Sequence, residues 1–303
     1  MANNTNGTFV VTKMPPGVDI FLIALNIFLS ITATLGNALI LVALRNVSCI
    51  HPSTKLLFRC LAVTDLCVGL ICQPLLYVYL IIGKFIKELL YVYFFFYSVL
   101  LTVSPLTSAA ISVDRLLALL LGLRYRHVVT LRRVRVLIAC VWFIAVSNAS
   151  LLCVAWILFK LNVIRASSWT FLTLIMVSII ISLFSYITIF LTLRHQQAQV
   201  QGHVQQEQSS RVRSVLNIAR YKKTVYSVAW IQFAMLACYG PYIVMAFLWH
   251  FGNVGYSTEV MIAGEVFYCL FFLNSSLNPV LYCWRIKDIR QEVKNTIRKC
   301  LCC

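Results

Sequence analysis

Acid is what this chain has least of. Nine Asp and Glu stand against 26 Lys and Arg in 303 residues; charged residues of both signs make up only 12%, while 61% are hydrophobic. So few charges cannot clothe a soluble domain of this size, and the water-soluble classes are excluded. The first eighteen residues are polar, with no apolar core leading to a cleavage site, so the first hydrophobic run is expected to act as an uncleaved membrane signal. There is no internal repeat and no separate soluble domain. No nucleophile, base or metal constellation gathers in the polar segments, so the chain is not expected to be an enzyme. Of twelve cysteines, none falls in an expected outer loop, which argues against a structural disulfide. Cys60, Cys67, Cys72, Cys140, Cys153, Cys238, Cys269 and Cys283 read as small apolar packing residues.

What the chain does have is apolar length. Seven runs, near 19–44, 54–82, 88–120, 133–158, 168–194, 217–249 and 259–284, are each long enough to cross a bilayer as a helix. The expected fold is all-α, a seven-transmembrane helix bundle. Twenty-one Lys and Arg fall in alternate connections, and only Lys13, Lys84, Lys87, Lys160 and Arg165 fall in the others. Basic short loops stay inside, so this is read as a multi-pass plasma-membrane protein with its N-terminus outside and its C-terminus inside. The net charge of +17 is therefore a topology signal first, and an attraction to anionic inner-leaflet lipid or an acidic cytoplasmic partner second. No nucleic-acid partner is implied.

Three regions follow: an extracellular tail over 1–18, the bundle over 19–284, and a cytoplasmic segment over 285–303. In the last, Ile286, Ile289 and Val293 recur at helical spacing, which predicts a short amphipathic eighth helix on the inner membrane surface. It ends in Cys300, Cys302 and Cys303, candidates for acylation. Asn3 and Asn6 open glycosylation acceptor triplets in the outer tail. The Gln-rich connection over 195–215 reads equally as a helical extension or a mobile loop.

The densest cluster of unusual residues is Asn278-Pro279-Val280-Leu281-Tyr282, with Asn274-Ser275 one turn earlier. Proline removes a backbone donor, and in lipid the freed carbonyl must find another partner, so the polar residues beside it suggest a packed polar seam. Asp65, the one ionisable residue placed mid-membrane, costs on the order of 3 kcal/mol by insertion scales and needs polar partners or a cation. Tyr97, Leu101, Ser104, Ser108 and Arg115 recur near whole helical turns, forming one stripe along the third span.

Gly36-Asn37, Leu61-Ala62-Val63-Thr64-Asp65, Asp114-Arg115, Trp142, Tyr186, Cys238-Tyr239-Gly240-Pro241 and the Asn-Pro-Val-Leu-Tyr run supply one mark per span, in order. With them the chain resembles the rhodopsin-like (class A) G-protein-coupled receptors over nearly its whole length. The resemblance implies a receptor that passes an extracellular ligand signal to a heterotrimeric G protein. On activation Arg115 would leave Asp114 and meet a G-protein terminus, with Tyr186 and Tyr282 closing around it through water, while Leu123 docks in a hydrophobic groove. Asn278 and Pro279 belong to the same activation machinery. Asp65 would hold an allosteric sodium ion with Ser104, Asn274, Ser275 and Asn278, beside Asn37; no other cofactor is implied.

Departures from the family pattern are also informative. Leu116 stands where Tyr is commonest, Tyr239 where Trp is usual, Ser178 in place of a Pro, and Pro105 and Met235 where a branched aliphatic and a Phe complete the core trigger. Tyr221-Lys222-Lys223 offers Arg115 no acid, which motivates the hypothesis of appreciable ligand-independent activity, tested by basal signal over mock-transfected cells. Leu90 in place of a disulfide cysteine, together with a short loop near 159–168, resembles the branch holding melanocortin, lysophospholipid, cannabinoid and adenosine receptors. Their ligand residues do not carry over. Tyr97 replaces the amine-binding Asp, and Phe272 replaces the retinal-binding Lys. What remains is an aromatic neighbourhood of Tyr97, Leu101, Tyr239, Tyr242, Tyr268 and Phe272, with Tyr93 and Phe94 beside it and Gln73 and Glu265 as polar contacts. It suits a small apolar or aromatic ligand, or a lipid. The competing class, a polytopic transporter or channel, would be expected to show repeat symmetry and several intramembrane charges.

Overall fold

The computed structural model describes residues 17–81, 87–159, 163–202, 229–230, 233–248 and 258–301. Ten α-helices follow in order: α1 Val18–Asn46, α2 Pro52–Cys67, α3 Gln73–Ile81, α4 Lys87–Leu121, α5 Tyr125–Val128, α6 Leu131–Phe159, α7 Val163–Gly202, α8 Phe233–Leu248, α9 Thr258–Arg285 and α10 Lys287–Leu301. Among the described residues there is no strand. Among the described residues six helical stretches are long and apolar enough to cross a membrane, and α8 supplies a shorter apolar helix. The expected sixth span began at 217; of its first half only 229–230 is described.

Local chemistry sets the boundaries. α2 begins with Pro52 at its first position, where the missing N–H costs nothing, and His51 before it is extended, as a residue preceding proline must be. A π-turn over Val68–Cys72 joins α2 to α3. It brings the Gly69 backbone against α1, so that a Cβ there would lie 2.6 Å from Thr34 Oγ1, and Ser30 Oγ donates to the Gly69 carbonyl at 2.8 Å. α7 runs past the expected 194 to Gly202, so the first part of the Gln-rich connection is helical.

The bundle is apolar on its outside as well as its inside. Phe21, Phe28 and Leu35 on α1, Phe143, Leu151 and Leu158 on α6, and Phe184 and Leu191 on α7 all face outward, as lipid-facing surfaces do. Cys72, Cys238 and Cys269 are buried packing residues, whereas Cys140 is exposed on α6, contrary to its expected packing role.

One expectation needs correction. The apolar face of α10 was expected to lie on the membrane surface, but Ile289 and Val293 are buried in one cluster with Ile40, Ala43, Leu44 and Val47 of α1 and its end. Arg290 explains the docking: its Nε donates to the Cys283 carbonyl at 2.7 Å and its Nη2 to the Trp284 carbonyl, serving acceptors that the end of α9 leaves without donors. Ile297, one turn further on, is exposed for contact beyond the protein.

Candidate functional site

The expected polar seam exists, midway along the bundle between α1, α2 and α9. Asp65 is fully buried; Ser275 Oγ donates to one of its oxygens at 2.8 Å and Asn278 Nδ2 to the other at 2.7 Å. Asn37 Nδ2 donates to the Ala33 carbonyl at 2.9 Å and to the Ser275 carbonyl at 3.0 Å. Ser276 donates to the Leu29 carbonyl at 2.9 Å. The acceptor oxygens of Asn37 and Asn278 are buried without a protein partner. Ser104 and Asn274 face Asn278 across a space also lined by Leu61, Ser108 and Met235, which is closed to a water-sized sphere. The donor set, one carboxylate with hydroxyls and unserved amide oxygens, fits a hard cation; to admit one, these side chains must part.

Tyr239 belongs partly to this seam. Expected in the ligand pocket, it is buried, with its hydroxyl directed towards Ser104 and Asn274 and its ring 5.0 Å from that of Phe271. A tyrosine where a tryptophan is usual therefore ties α8 to α4 and α9 through a polar tip.

Beyond it, towards the starts of α4 and α9, lies the aromatic end. Tyr97 and Tyr268 meet edge-on at 5.8 Å, and Tyr93 and Tyr97 lie 5.6 Å apart. Leu101, Tyr97, Tyr242 and Tyr268 share one cluster with Phe171 and Ile175 of α7. The ring at its centre is Phe271, which the sequence reading missed: it packs on Tyr242 at 4.7 Å, Phe171 at 5.7 Å and Tyr268 at 6.3 Å. Phe272, which that reading named, is buried with Leu29, Val68, Cys72, Leu76 and Leu100 in an adjoining cluster against which Tyr93 and Tyr97 also pack. The available signal was register, since Phe271 lies four residues before Ser275 and three after Tyr268 on one helical face. Phe94 packs on Trp156 at 5.6 Å, away from this cluster, and Gln73 donates to the Asn26 carbonyl at 3.3 Å.

At the opposite, basic end, Asp114 and Arg115 form an ion pair. Thr54 Oγ1 donates to Asp114 Oδ2 at 2.8 Å, the Tyr125 hydroxyl donates to Oδ1, and Arg115 reaches both Asp114 and Thr54. Thr54 and Tyr125 were not singled out as holders of this pair, because Thr54 comes from the start of α2, 60 residues away, and Tyr125 from α5, after the chain has turned out of α4. His51 packs edge-on against Tyr125 at 5.0 Å, and burial pulls its pKa below the ordinary imidazole value, a shift that Arg126 and Arg115 reinforce and Asp114 opposes. Tyr282 is buried against Phe58 at 5.3 Å, its hydroxyl unpartnered; Tyr186 directs its hydroxyl towards Ser112. Neither tyrosine hydroxyl is hydrogen-bonded to Arg115 in this arrangement, in which Arg115 is held by Asp114. Leu123 is 96% exposed in the turn before α5.

Residues 36–282 match the family described as 7 transmembrane receptor (rhodopsin family). The chain belongs to that family. This receptor is 25% identical to adenosine receptor A2b of Gallus gallus, over 92% of its own length and 89% of the relative's. It is likewise 25% identical to melanocortin receptor 5 of Rattus norvegicus, covering 93% and 85%, and to trace amine-associated receptor 9 of Homo sapiens, covering 96% and 88%. The receptor is thus a multi-pass plasma-membrane protein of a receptor family, not of an enzyme family. Asn3, Asn6, Cys302, Cys303, Lys222 and Lys223 lie outside the described residues, and Cys300 falls in the last turn of α10.

Proposed function

We propose that this receptor couples an extracellular ligand to a heterotrimeric G protein, with the aromatic end outside and the basic end in the cytosol. The observation that carries the reading is the Asp114–Arg115 pair beside an almost fully exposed Leu123: a cation in two-sided restraint next to an apolar knob, at the end where Lys and Arg collect. With Arg115 held by Asp114 and Thr54, and Tyr282 turned onto Phe58, this is the resting arrangement. Activation frees Arg115, which then accepts the acidic or carboxylate end of the G protein while Leu123 enters an apolar groove.

The ligand we propose is a small apolar or aromatic molecule at the cluster of Tyr97, Leu101, Tyr242, Tyr268 and Phe271, with Tyr239 beneath it transmitting the displacement to Ser104 and Asn274. Sodium at Asp65, Ser104, Asn274, Ser275 and Asn278 would hold the resting state by occupying the seam. Asn3 and Asn6 carry glycans, and Cys300, Cys302 or Cys303 an acyl anchor.

The test is a G-protein activation panel in cells expressing the chain, Arg115→Ala and Asp65→Asn at matched surface levels. A basal or evoked signal lost in Arg115→Ala supports the coupling; no difference from mock cells with any G protein counts against it. For sodium, the melting temperature of purified receptor should rise in sodium over potassium chloride, and this difference should vanish in Asp65→Asn.

A further inference from the structure

We infer that a cavity between the α1–α2 connection, α2 and α6 binds the phosphate-bearing headgroup of an inner-leaflet lipid. The cavity, about 350 Å³, is lined by the cations Lys55, Arg59 and Arg135 and walled by Ile50, Leu56 and Leu131. The inference rests on the proposed orientation, in which this end of the bundle faces the cytosol.

Lys55 and Arg59 are held in place before any ligand arrives. Lys55 Nζ donates to the carbonyls of Arg45 at 3.2 Å and Val47 at 2.6 Å, and Arg59 Nη2 to that of Leu44 at 3.2 Å. These carbonyls end α1 and have no helical donor, so the two side chains cap it. A carbonyl neutralises no charge, however, and no carboxylate lies within ion-pair distance of Lys55, Arg59 or Arg135 among the described residues. Three like charges around one cavity call for a counter-anion. Arg59 still has donors of its planar fork to spare, and Arg135 is exposed at the rim, one turn after Leu131.

The position selects the source of the anion. Pro52 and Leu131 begin the two span-length stretches that border the cavity, which puts it at the level where headgroups lie. The apolar wall below the cations suits the glycerol and upper acyl part of an amphiphile, for which a soluble phosphate has no use. A phosphomonoester carries about 1.5 to 2 negative charges and matches three cations better than a singly charged phosphodiester.

The test uses purified full-length receptor in phosphatidylcholine nanodiscs, with binding of short-chain phosphatidylinositol bisphosphate, phosphatidylserine and free inositol trisphosphate measured by native mass spectrometry. Arg135→Gln, which leaves the capping of α1 intact, should weaken bisphosphate-lipid binding roughly fivefold, and Arg135→Gln with Arg59→Gln about twenty-five-fold. Arg298→Gln, at the far end of α10, should change nothing. Equal binding by wild type and Arg135→Gln overturns the site. Phosphatidylserine binding as tightly as the bisphosphate lipid overturns the headgroup assignment, and inositol trisphosphate binding as tightly as the lipid overturns the lipid source. Nanodiscs expose both faces, so these outcomes are independent of the orientation and coupling tested in cells.

Discussion

Asn37 supplies the hydrogen bond that Pro279 withholds from Ser275. The Ser275 carbonyl would accept from the backbone N–H four residues on; that residue is Pro279, which has none, and Asn37 Nδ2 reaches across from α1 at 3.0 Å instead. Gly36 makes the approach close enough, since a Cβ there would stand 2.9 Å from Pro279 Cγ. Asn37→Leu keeps the volume and removes the donor, leaving a carbonyl unserved in a dry interior. The expected cost is about 0.6 to 2 kcal/mol, read as a lower melting temperature of purified receptor. An unchanged melting temperature would contradict the assignment.

Tyr125→Phe should raise basal signalling. The Tyr125 hydroxyl and Thr54 both donate to Asp114, fixing the carboxylate that in turn holds Arg115. A hydrogen bond to a charged group contributes about 1.5 to 3 kcal/mol, and 1.4 kcal/mol is a factor of ten in an equilibrium. Removing one donor therefore shifts Arg115 towards release by about tenfold or more. Basal output equal to wild type at matched surface level would show that Tyr125 does not hold the resting state.

Seven spans, their order and the polar seam were legible in the sequence because each rests on a local rule: apolar length, the alternation of Lys and Arg, and a proline flanked by side chains able to serve its orphan carbonyl. Asp65, Ser275 and Asn278 meet as expected. Residues that act at a distance were not legible. Thr54 reaches Asp114 from the start of α2 and Tyr125 from α5, and which cluster each of the adjacent, equally buried Phe271 and Phe272 enters depends on the rotation of α9. The face of α10 could be read from its periodicity, but not that α1 would cover it.

Phe271→Ala should open a ligand-sized hole. The ring is 1% exposed and touches Phe171, Tyr239, Tyr242 and Tyr268, so its loss costs about 3 to 5 kcal/mol. A flat aromatic probe such as indole should then restore part of the lost melting temperature in the variant and leave wild type unmoved. If indole stabilises neither, the cluster does not collapse around Phe271 as described.

The receptor should lose stability on mild acidification, through His51. Its pKa lies below the unfolded value because burial penalises the cation, with Arg126 and Arg115 adding to the effect, and its Nδ1 is buried without a partner. For a group with a depressed basic pKa the unfolded chain takes up the proton first. Stability is therefore full above the unfolded value, near 6.5, and falls as pH drops below it until the folded pKa is passed. The drop in melting temperature between neutral pH and the mid-fives should shrink in His51→Gln; an identical drop assigns it to other groups.

Where many relatives hold Arg115 from the sixth span with an acid, this chain offers a different brace at the same end. The guanidinium of Arg285, the last residue of α9, lies 4.7 Å from the Trp230 ring and 3.7 Å from that of Trp284, and the two indoles are 5.7 Å apart. Trp230 stands three residues before α8. Any outward movement of that end of α8 has to break the contact with Trp230, while Trp284, on α9 with Arg285, moves with it. A cation–π contact at a half-exposed site contributes about 0.5 to 1 kcal/mol, so Trp230→Ala should raise basal signal roughly two- to fivefold. Arg285→Lys keeps the charge and loses the planar stacking, and should fall between the two. If Trp230→Ala signals no more than wild type, the brace has no part in holding the resting state, and the missing acid is left uncompensated.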